Sequence, residues 1–302
     1  MSLAILFKDS GELGNRLITY SYLLGFGARH RVRVENLCFW RYGHLFAKRE
    51  DRAGAGERVI KGLLGLPGWG RIRRRFQFDG GLVCAPRAIG VRLMNAGLSR
   101  WAGTLVRPVG LRVREELVWG HDCSFVVSRD LADLPIFEPS NVTENSAKLR
   151  ERFALRPDLE ARVTAWVKPI RERYDRLIGV HVRRGDYAVF RGGRWFYDYE
   201  TYRALMSHLM KVFAPERVGF VVASPETFQA ERWAGLPVHA AGPGVAVLEM
   251  YALARCDLIV GPPSSFSGWA SFMGNRPIFY LEKAGDRPKE RELGTVWTPR
   301  YY

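Results

Sequence analysis

Short apolar runs in the second half of the chain alternate with helical stretches, and this alternation limits the fold more than any other feature. Strands are predicted at 177–182, 218–223, 258–260 and 278–281. Helices are predicted between them at 199–213 and 246–255, where apolar residues recur with helical spacing. Strands and helices that alternate in this way predict an α/β fold, with a parallel sheet that helices cover on both faces.

The first half of the chain has a weaker pattern. Residues 3–7 form an apolar run that predicts a buried strand, and residues 15–28 predict a helix with one apolar face. The stretch 35–165 is rich in glycine and proline and allows little prediction, apart from a helix that follows Glu151 and is interrupted near Pro157. A boundary near 165–175 separates the two halves, and we predict an N-terminal domain at 1–168 and a C-terminal domain at 169–302.

The net charge of +15 calls for an anionic partner. The chain lacks the zinc spacing, the aromatic-basic signature and the basic helix of nucleic-acid-binding modules, so we expect no nucleic-acid partner. Much of the positive charge lies between Arg49 and Arg114, where basic residues mix with Trp and Leu. This mixture is typical of a peripheral helix on an anionic membrane surface, and equally of a solvated basic face over an ordinary core.

The sequence also bears on location. We find no apolar run of roughly 18 to 20 residues and no basic-then-apolar secretion signal, so we expect a cytoplasmic protein that can be peripheral on the cytoplasmic membrane. The cysteines lie far apart with no CxxC pair, at Cys38, Cys84, Cys123 and Cys256. This spacing favours reduced packing residues over a zinc site or a disulfide framework.

Polar residues follow three of the predicted strands. They are the group from His181 to Asp186, the group from Ser224 to Glu226 and the group at 262–267, which leads into a predicted helix at 269–273. Ligands of an open parallel sheet bind at the carboxyl ends of its strands, where these three groups lie. Serines that open a helix and arginines at a strand end suit phosphate oxygens, so the three groups predict a diphosphate site. The alternative is that Ser264 only caps its helix and that the arginines pair with Asp186 and Glu200. The glycine-rich dinucleotide and P-loop fingerprints are absent, which leaves dehydrogenase and kinase chemistry unsupported.

Three motifs resemble those of the fucosyltransferase superfamily, and within it the α-1,2-fucosyltransferase-like family. HVRRGDY at 181–187 resembles the HxRRxDY motif, GELGNRL at 11–17 resembles GGLGNQ/R, and SSFSGWA at 264–270 is similar to SSFSWW. The motifs occur in the family's order and fall in both halves of the chain.

The resemblance implies a GT-B-like fold, in which two Rossmann-like domains face each other across a cleft and the C-terminal one binds the donor. It implies an inverting transfer of L-fucose from GDP-β-L-fucose to a glycan hydroxyl in α-1,2 linkage, with no metal or other cofactor. The absence of a DxD triplet from the sequence agrees with the last point. A lipid-linked polysaccharide or oligosaccharide would serve as the glycan acceptor and would explain an anionic membrane partner.

The resemblance also assigns roles to individual residues. Arg183 would stabilise the charge that develops on the leaving diphosphate, and His181 would contact the donor phosphate or ribose. Ser264 and Ser265 would bind phosphate, and Glu249 would read guanine N1 and N2. Asp186 is the candidate general base, although it could instead be paired with Arg184. The remaining candidates are Gly14, Asn15 and Arg16, which would close on the sugar and diphosphate from the N-terminal domain, and Ser224 on the donor side.

The motifs also depart from the family pattern. Ser224-Pro225-Glu226 replaces a frequent Ser-Asp-Asp, which leaves the ribose contact open, and Gly268 replaces the first tryptophan of SSFSWW. Two alternatives therefore stay open. One is an enzyme of the same fold with another GDP-sugar or with α-1,6 linkage, and the other is a degenerate, non-catalytic module that binds glycans or membranes.

Overall fold

The computed structural model describes residues 3–8, 11–36, 39, 42–47, 111–118, 121–131, 133–242 and 244–297. Most of the basic stretch between Arg49 and Arg114 lies outside these residues, as do Cys38 and Cys84. The two cysteines within them, Cys123 and Cys256, are free and buried, as predicted. Within these residues, no helix has both the length and the apolar character needed to cross a membrane.

The N-terminal unit is a four-stranded sheet with one long helix. Its strands are β1 (Leu3–Lys8), β2 (Arg33–Asn36), β3 (Leu111–Val118) and β4 (His121–Ser128), in the spatial order β2-β1-β4-β3. Strands β1 and β2 are parallel and are joined by α1 (Leu13–His30), whereas β4 is antiparallel to both of its neighbours. The predicted first strand and helix are confirmed, and the other three strands were not predicted.

Three helices lead from this unit to the second sheet: α2 (Pro139–Thr143), α3 (Ser146–Arg152) and α4 (Pro157–Arg171). Pro157 opens α4, where its missing N–H has no helical partner to lose, so the predicted interruption near Pro157 is a helix start. Helix α4 packs against the C-terminal unit through Trp166, whose Nε1 donates to the Ala240 carbonyl at 2.9 Å. The predicted domain division at 168 falls inside this helix and stays a prediction.

The C-terminal unit is a five-stranded sheet in which every neighbouring pair is parallel. The order is β7-β6-β5-β8-β9, with helices between most strands. The elements in chain order are β5 (Arg176–His181), α5 (Tyr199–Val212), β6 (Val218–Ala223), β7 (Val238–Ala240), α6 (Ala246–Leu253), β8 (Leu258–Gly261), α7 (Ser265–Gly274) and β9 (Ile278–Tyr280). The predicted α/β fold and its parallel sheet are confirmed, with β7 as the one strand of this sheet that was missed.

A shared apolar core joins the two units. The rings of Tyr20 in α1 and Trp269 in α7 both pack edge-on against Phe153, at centroid distances of 5.7 and 5.3 Å. Nearby, Arg150 Nε donates to the Phe272 carbonyl at 2.7 Å. These contacts bring the start of α1 close to the start of α7, which sets the two halves of the cleft described next.

Candidate functional site

A cleft of about 1260 Å³ opens where the carboxyl ends of β5, β6 and β8 meet the N-terminal unit. The N-terminal side of the cleft consists of 11–15 with Tyr42 and Leu45, and the C-terminal side is formed by the loops that follow the three strands. Among the candidate residues from the sequence, the cleft is lined by Gly14, Asn15, His181, Arg183, Asp186, Ser224, Glu249, Ser264 and Ser265, and Arg16 is not part of the lining.

The cleft lies at the point where the order of the parallel sheet reverses. Strand β5 is followed by β6 on one side, and the chain then crosses to β8 on the other side of β5. Ligands of open α/β sheets bind at such a reversal, since the two loops diverge there. Gly261 lets the strand ends approach closely, because a Cβ at this position would come within 2.5 Å of the His181 carbonyl oxygen.

Arg183 follows β5 and presents its guanidinium to the cleft. Its Nη2 donates to Asp186 Oδ2 at 2.8 Å and lies 2.7 Å from Oδ1 of the same carboxylate, and its guanidinium carbon lies 4.9 Å from the centroid of the Tyr187 ring. The buried Nε of Arg183 has no hydrogen-bond partner among the described residues. A cation with an unused buried donor, paired only to a carboxylate that is 63% exposed, can exchange that partner for an anionic ligand.

The expected pair between Arg184 and Asp186 is wrong, since Asp186 pairs with Arg183. Arg184 turns away from the cleft, and its Nε donates to Glu226 at 3.1 Å while its Nη1 donates to the Tyr197 carbonyl at 2.9 Å. Its guanidinium also lies over the ring of Phe196 at 4.2 Å. Neighbouring arginines point to opposite sides after a strand, so only one of them can face the ligand edge. Glu200 pairs with Arg203 instead of with either of these arginines.

His181 is buried at the end of β5, with 3% of its surface exposed. Its ring stacks on Phe266 at a centroid distance of 4.7 Å, and its Nδ1 has no hydrogen-bond partner among the described residues. Burial, with a smaller contribution from the nearby charge of Arg183, lowers the pKa of His181 to about 3. The imidazole is therefore neutral near pH 7, and it can offer a hydrogen bond to a ligand but no positive charge.

Helix α7 begins at the edge of the cleft. Ser264 is its N-cap, and the Ser264 Oγ accepts a hydrogen bond from the Phe266 N–H at 3.2 Å. The capping interpretation of Ser264 is thus correct, and it is compatible with ligand binding because a helix start keeps further free N–H groups. Tyr187 joins this loop to the one after β5, since its hydroxyl donates to the Pro263 carbonyl at 2.7 Å.

The start of α1 lies directly against the start of α7. A Cβ on Gly14 would come within 2.8 Å of the Ser265 Oγ and 3.1 Å of the Phe266 N. Any side chain at this position would push the two helix starts apart, so glycine is required by packing. Asn15 is the next residue in the lining of the cleft. Arg16 instead turns back to its own loop, where its Nε donates to the Gly11 carbonyl at 3.0 Å.

Glu249 lies in α6, a helix whose residues are buried on nearly all sides, and the glutamate itself is only 9% exposed. Its Oε1 accepts a hydrogen bond from the Gly244 N–H at 3.0 Å, and burial raises the pKa of the carboxyl group. A buried carboxylate with one bonded oxygen keeps acceptor capacity for a ligand that carries N–H donors.

Ser224 and Glu226 follow β6. The Ser224 Oγ accepts from the Glu226 N–H at 3.2 Å, which closes the turn. The Glu226 carboxylate accepts hydrogen bonds from Tyr199, Arg184 and Arg232, and these bonds lower the pKa of Glu226 to about 2. Glu226 is thus fully engaged within the protein and holds the turn that presents Ser224.

The sequence did not point to an aromatic and basic wall on the C-terminal side of the cleft. Its members are Tyr187, Phe190, Arg191, Arg194 and Trp195, and Glu282 lies beside them. Most of them lie in the stretch between β5 and α5, which has no strand or helix periodicity. The only available signal was the density of arginine and aromatic residues in the segment 187–197.

The described residues of the cleft do not form a cluster of metal ligands. Within the described ranges, no three or more His, Cys, Asp or Glu side chains group closely enough to hold a metal ion. The positive charge that faces the cleft comes from arginine side chains instead.

No protein-family model and no curated protein matches the chain. Part of the fold is similar to solved structures. A crystal structure of NodZ α-1,6-fucosyltransferase soaked with GDP-fucose has a TM-score of 0.35 and 20% identity, over 50% of this chain and 51% of that chain. Selenomethionine NodZ from Bradyrhizobium has a TM-score of 0.35 and 22% identity, over 46% of this chain and 49% of that chain. A mutant of Arabidopsis thaliana FUT1 in complex with GDP has a TM-score of 0.36 and 18% identity, over 53% and 42% of the two chains. The chain thus spans about half the length of these proteins or less.

Proposed function

We propose that the cleft binds a GDP-sugar and that the protein is an inverting glycosyltransferase that transfers L-fucose from GDP-β-L-fucose to a glycan hydroxyl. One observation carries the proposal. The Arg183 guanidinium and the start of α7 flank Tyr187 on one side of a large cleft, and Gly14 and Asn15 approach from the other unit. Cationic and N–H donors that converge in this way are suited to a diphosphate.

The chemistry follows from where charge develops. As the glycosidic bond breaks, negative charge grows on the leaving diphosphate, and a fixed guanidinium with free N–H groups beside it stabilises that charge. Arg183 supplies the planar donor, and the first N–H groups of α7 add the positive end of the helix dipole. With this arrangement we propose that the reaction needs no metal ion.

The base of the donor would lie near Glu249. Guanine presents two N–H donors along one edge, and a carboxylate can accept both. Burial raises the pKa of Glu249 in spite of its hydrogen bond from Gly244, and the two guanine N–H donors would stabilise the carboxylate further.

Asp186 has two possible parts in the mechanism. In the structure it neutralises Arg183, so a bound diphosphate would compete with it for the same guanidinium. Once displaced, the exposed Asp186 carboxylate would be available to accept a proton from the attacking hydroxyl. The α-1,2 linkage rests on the motif resemblance, SSFSGWA and GELGNRL above all, and is the part of the proposal that product analysis must decide.

We also propose that the protein works at the cytoplasmic face of a membrane, on a lipid-linked glycan. This rests on the basic, Trp-containing stretch between Arg49 and Arg114 in the sequence. The protein should bind anionic phospholipid vesicles at low salt and leave them above a few tenths molar, where screening lengths fall to roughly 5 Å. Equal retention on neutral vesicles, or no binding at low salt, would refute the membrane proposal.

The test of the function itself combines nucleotide binding with turnover. GDP should raise the melting temperature more than UDP or ADP does, and GDP-fucose should be hydrolysed or transferred in the presence of excess EDTA. Linkage analysis of the product would then separate α-1,2 from α-1,6 transfer. Equal stabilisation by all three diphosphates, or turnover of a different nucleotide sugar in preference to GDP-fucose, would overturn the donor assignment.

A further inference from the structure

A row of aromatic rings leads away from Arg183 along the wall of the cleft. The Tyr187 ring lies 5.1 Å from that of Phe190, and the Phe190 ring lies 6.2 Å from that of Trp195, with interplanar angles of 30 and 35°. All three rings line the cleft, and Phe190 is 38% exposed. Tyr187 and Trp195 are largely buried, at 8% and 7% exposed, so Phe190 is the one of the three rings that is open to the cleft. An open ring in a polar cleft suits a ligand with an apolar face, and the C–H face of a pyranose ring is one.

Two arginines border these rings. The guanidinium of Arg191 lies 5.8 Å from the Phe190 centroid and 5.4 Å from that of Trp195, and the Arg194 guanidinium lies 5.3 Å from Trp195. Arg194 shares Glu282 with the Trp195 indole N–H, at 3.9 and 3.2 Å. In the part of the chain that the structure describes, Arg191 has no carboxylate within ion-pair distance. Its charge is therefore free to meet an anion in the cleft.

The backbone holds Arg191 in an unfavourable conformation. Arg191, Gly192 and Gly193 are successive left-handed residues, with φ of 47, 69 and 77°. The two glycines adopt this region freely, but a residue with a Cβ is strained there. Such strain is concentrated at ligand sites, where a side chain must point in one direction. Here it accompanies an exposed arginine in the lining of the cleft.

We propose that Phe190, Arg191 and Trp195 form an acceptor subsite, and that the acceptor is a glycan with a negatively charged group next to the sugar that receives the donor. The exposed Phe190 ring, supported by Trp195 behind it, would carry the sugar, and Arg191 would bind its carboxylate or phosphate. The proposal rests on the proposed function, because it is the contact of Tyr187 with Arg183 that puts a sugar on these rings beside the leaving diphosphate.

The experiment measures sugar binding directly. Saturation-transfer NMR on the full chain with GDP present would compare methyl β-glucuronide, glucose 1-phosphate and the neutral methyl β-glucoside. We expect the charged probes to bind about fivefold more tightly than the neutral one, the size of an exposed ion pair. The better of the two charged probes identifies carboxylate or phosphate as the recognised group.

Variants identify the residues that cause the preference for charged sugars. Arg191→Gln should abolish it, as should Arg191→Gly, which removes the charge and also relieves the backbone strain, so that loss of folding cannot account for the result. Phe190→Ala should weaken the binding of all three sugar probes to the same extent. Arg162→Gln, at an exposed arginine of α4 outside the cleft, should keep the wild-type preference. Equal binding of charged and neutral probes by the wild type, or a preference that survives both Arg191 variants, would overturn the proposal. The arginines would then only pack against the aromatic rings.

Failure of the subsite and failure of the function give different results. If the wild type hydrolyses GDP-fucose but shows no charge preference among the sugars, the subsite is refuted and the donor assignment stands. If the preference is present and depends on Arg191 while GDP-fucose is not turned over, the subsite stands and the donor assignment is refuted.

Discussion

Gly14 and Ser265 lie in direct contact where the two units meet, and a Cβ on Gly14 would come within 2.8 Å of the Ser265 hydroxyl oxygen. Helix α1 thus reaches the start of α7 only because its second residue lacks a side chain. The contact fixes how far Asn15 stands from Arg183 and Ser264, so it controls the geometry of the whole cleft.

Gly14→Ala should therefore impair activity more than stability. The added methyl group would displace the helix starts by several tenths of an ångström or more, and a misplacement near 1 Å can lower turnover by about a hundredfold. Stability should change little, since alanine in a helix is favoured over glycine by about 1 kcal/mol and this offsets part of the clash. Steady-state kinetics and thermal melting would check both parts.

The matched control is Gly43→Ala, in a 3₁₀ helix of the same unit. A Cβ at Gly43 would have no neighbour within 4 Å. Its turnover should equal that of the wild type. A Gly14→Ala enzyme with wild-type turnover would mean that the close contact has no part in catalysis.

Most of the C-terminal sheet was predictable from the sequence because its central strands are buried. Val218–Ala223 is buried at every position, so it reads as an unbroken apolar run. Strand β7 was missed because it has three half-buried residues, including His239. Strands β3 and β4 lie in a stretch with many glycines and prolines nearby. They are stabilised by pairing with each other and, for β4, with β1, which local pattern does not reveal.

Contacts between residues far apart in sequence also limited the prediction of the site. Arg184 has an acidic residue two positions away in Asp186, yet its partner is Glu226, which lies 42 positions further along the chain. The burial of Glu249 could have been predicted, because the residues around it in α6 are apolar on every side. The aromatic row from Tyr187 to Trp195 could not, since a loop with left-handed residues has no period to detect.

Glu249→Gln should remove the preference for GDP over UDP and ADP. In the neutral amide an NH2 donor group replaces one of the two acceptor oxygens, so the pair of guanine N–H groups would no longer face two acceptors. Because burial raises the pKa of Glu249, the preference of the wild type should also weaken as pH falls, at a higher pH than for an ordinary glutamate. Thermal shifts with the three diphosphates between pH 5 and 8 would measure this.

Glu231→Gln, at an exposed acidic residue, serves as the control for charge alone. It should retain the wild-type preference and the wild-type pH profile. If Glu249→Gln still prefers GDP, guanine must be recognised elsewhere in the cleft.

The neutral, buried His181 should make folding sensitive to acid. Its pKa falls from 6.5 to about 3 on folding, so the folded state resists protonation that the unfolded chain accepts. The stability is complete above pH 6.5 and is lost as pH falls from 6.5 toward 3, by about 1.4 kcal/mol for each pH unit. Urea unfolding at pH 7 and pH 5 should show a smaller loss in His181→Gln than in the wild type, by about 2 kcal/mol.

His44→Gln, at an exposed histidine, should follow the wild-type pH dependence. If the unfolding free energy falls equally with pH in His181→Gln and in the wild type, His181 accepts a proton as readily in the folded protein as in the unfolded chain.

Arg184→Ala should lower stability more than chemistry. It removes the hydrogen bonds to Glu226 and to the Tyr197 carbonyl, together with packing on Phe196. A loss of about 1 to 3 kcal/mol in unfolding free energy is expected, with turnover within about tenfold of the wild type. A stable but inactive Arg184→Ala protein would contradict the structural role.

Arg183 and Asp186 allow the sharpest test, because a bound diphosphate would compete with Asp186 for the Arg183 guanidinium. Arg183→Ala should lower turnover by about a hundredfold to a thousandfold, as expected for loss of a fixed charge-stabilising donor, with a much smaller fall in GDP affinity. Arg183→Lys should also be slow, since it keeps the charge but loses the planar fork.

Asp186→Asn releases Arg183 from its ion pair, so GDP should bind more tightly. If Asp186 is also the general base, turnover should fall steeply in the same variant. Tighter GDP binding with unchanged turnover would leave Asp186 as a partner of Arg183 alone, and a fully active Arg183→Ala enzyme would refute the proposed chemistry.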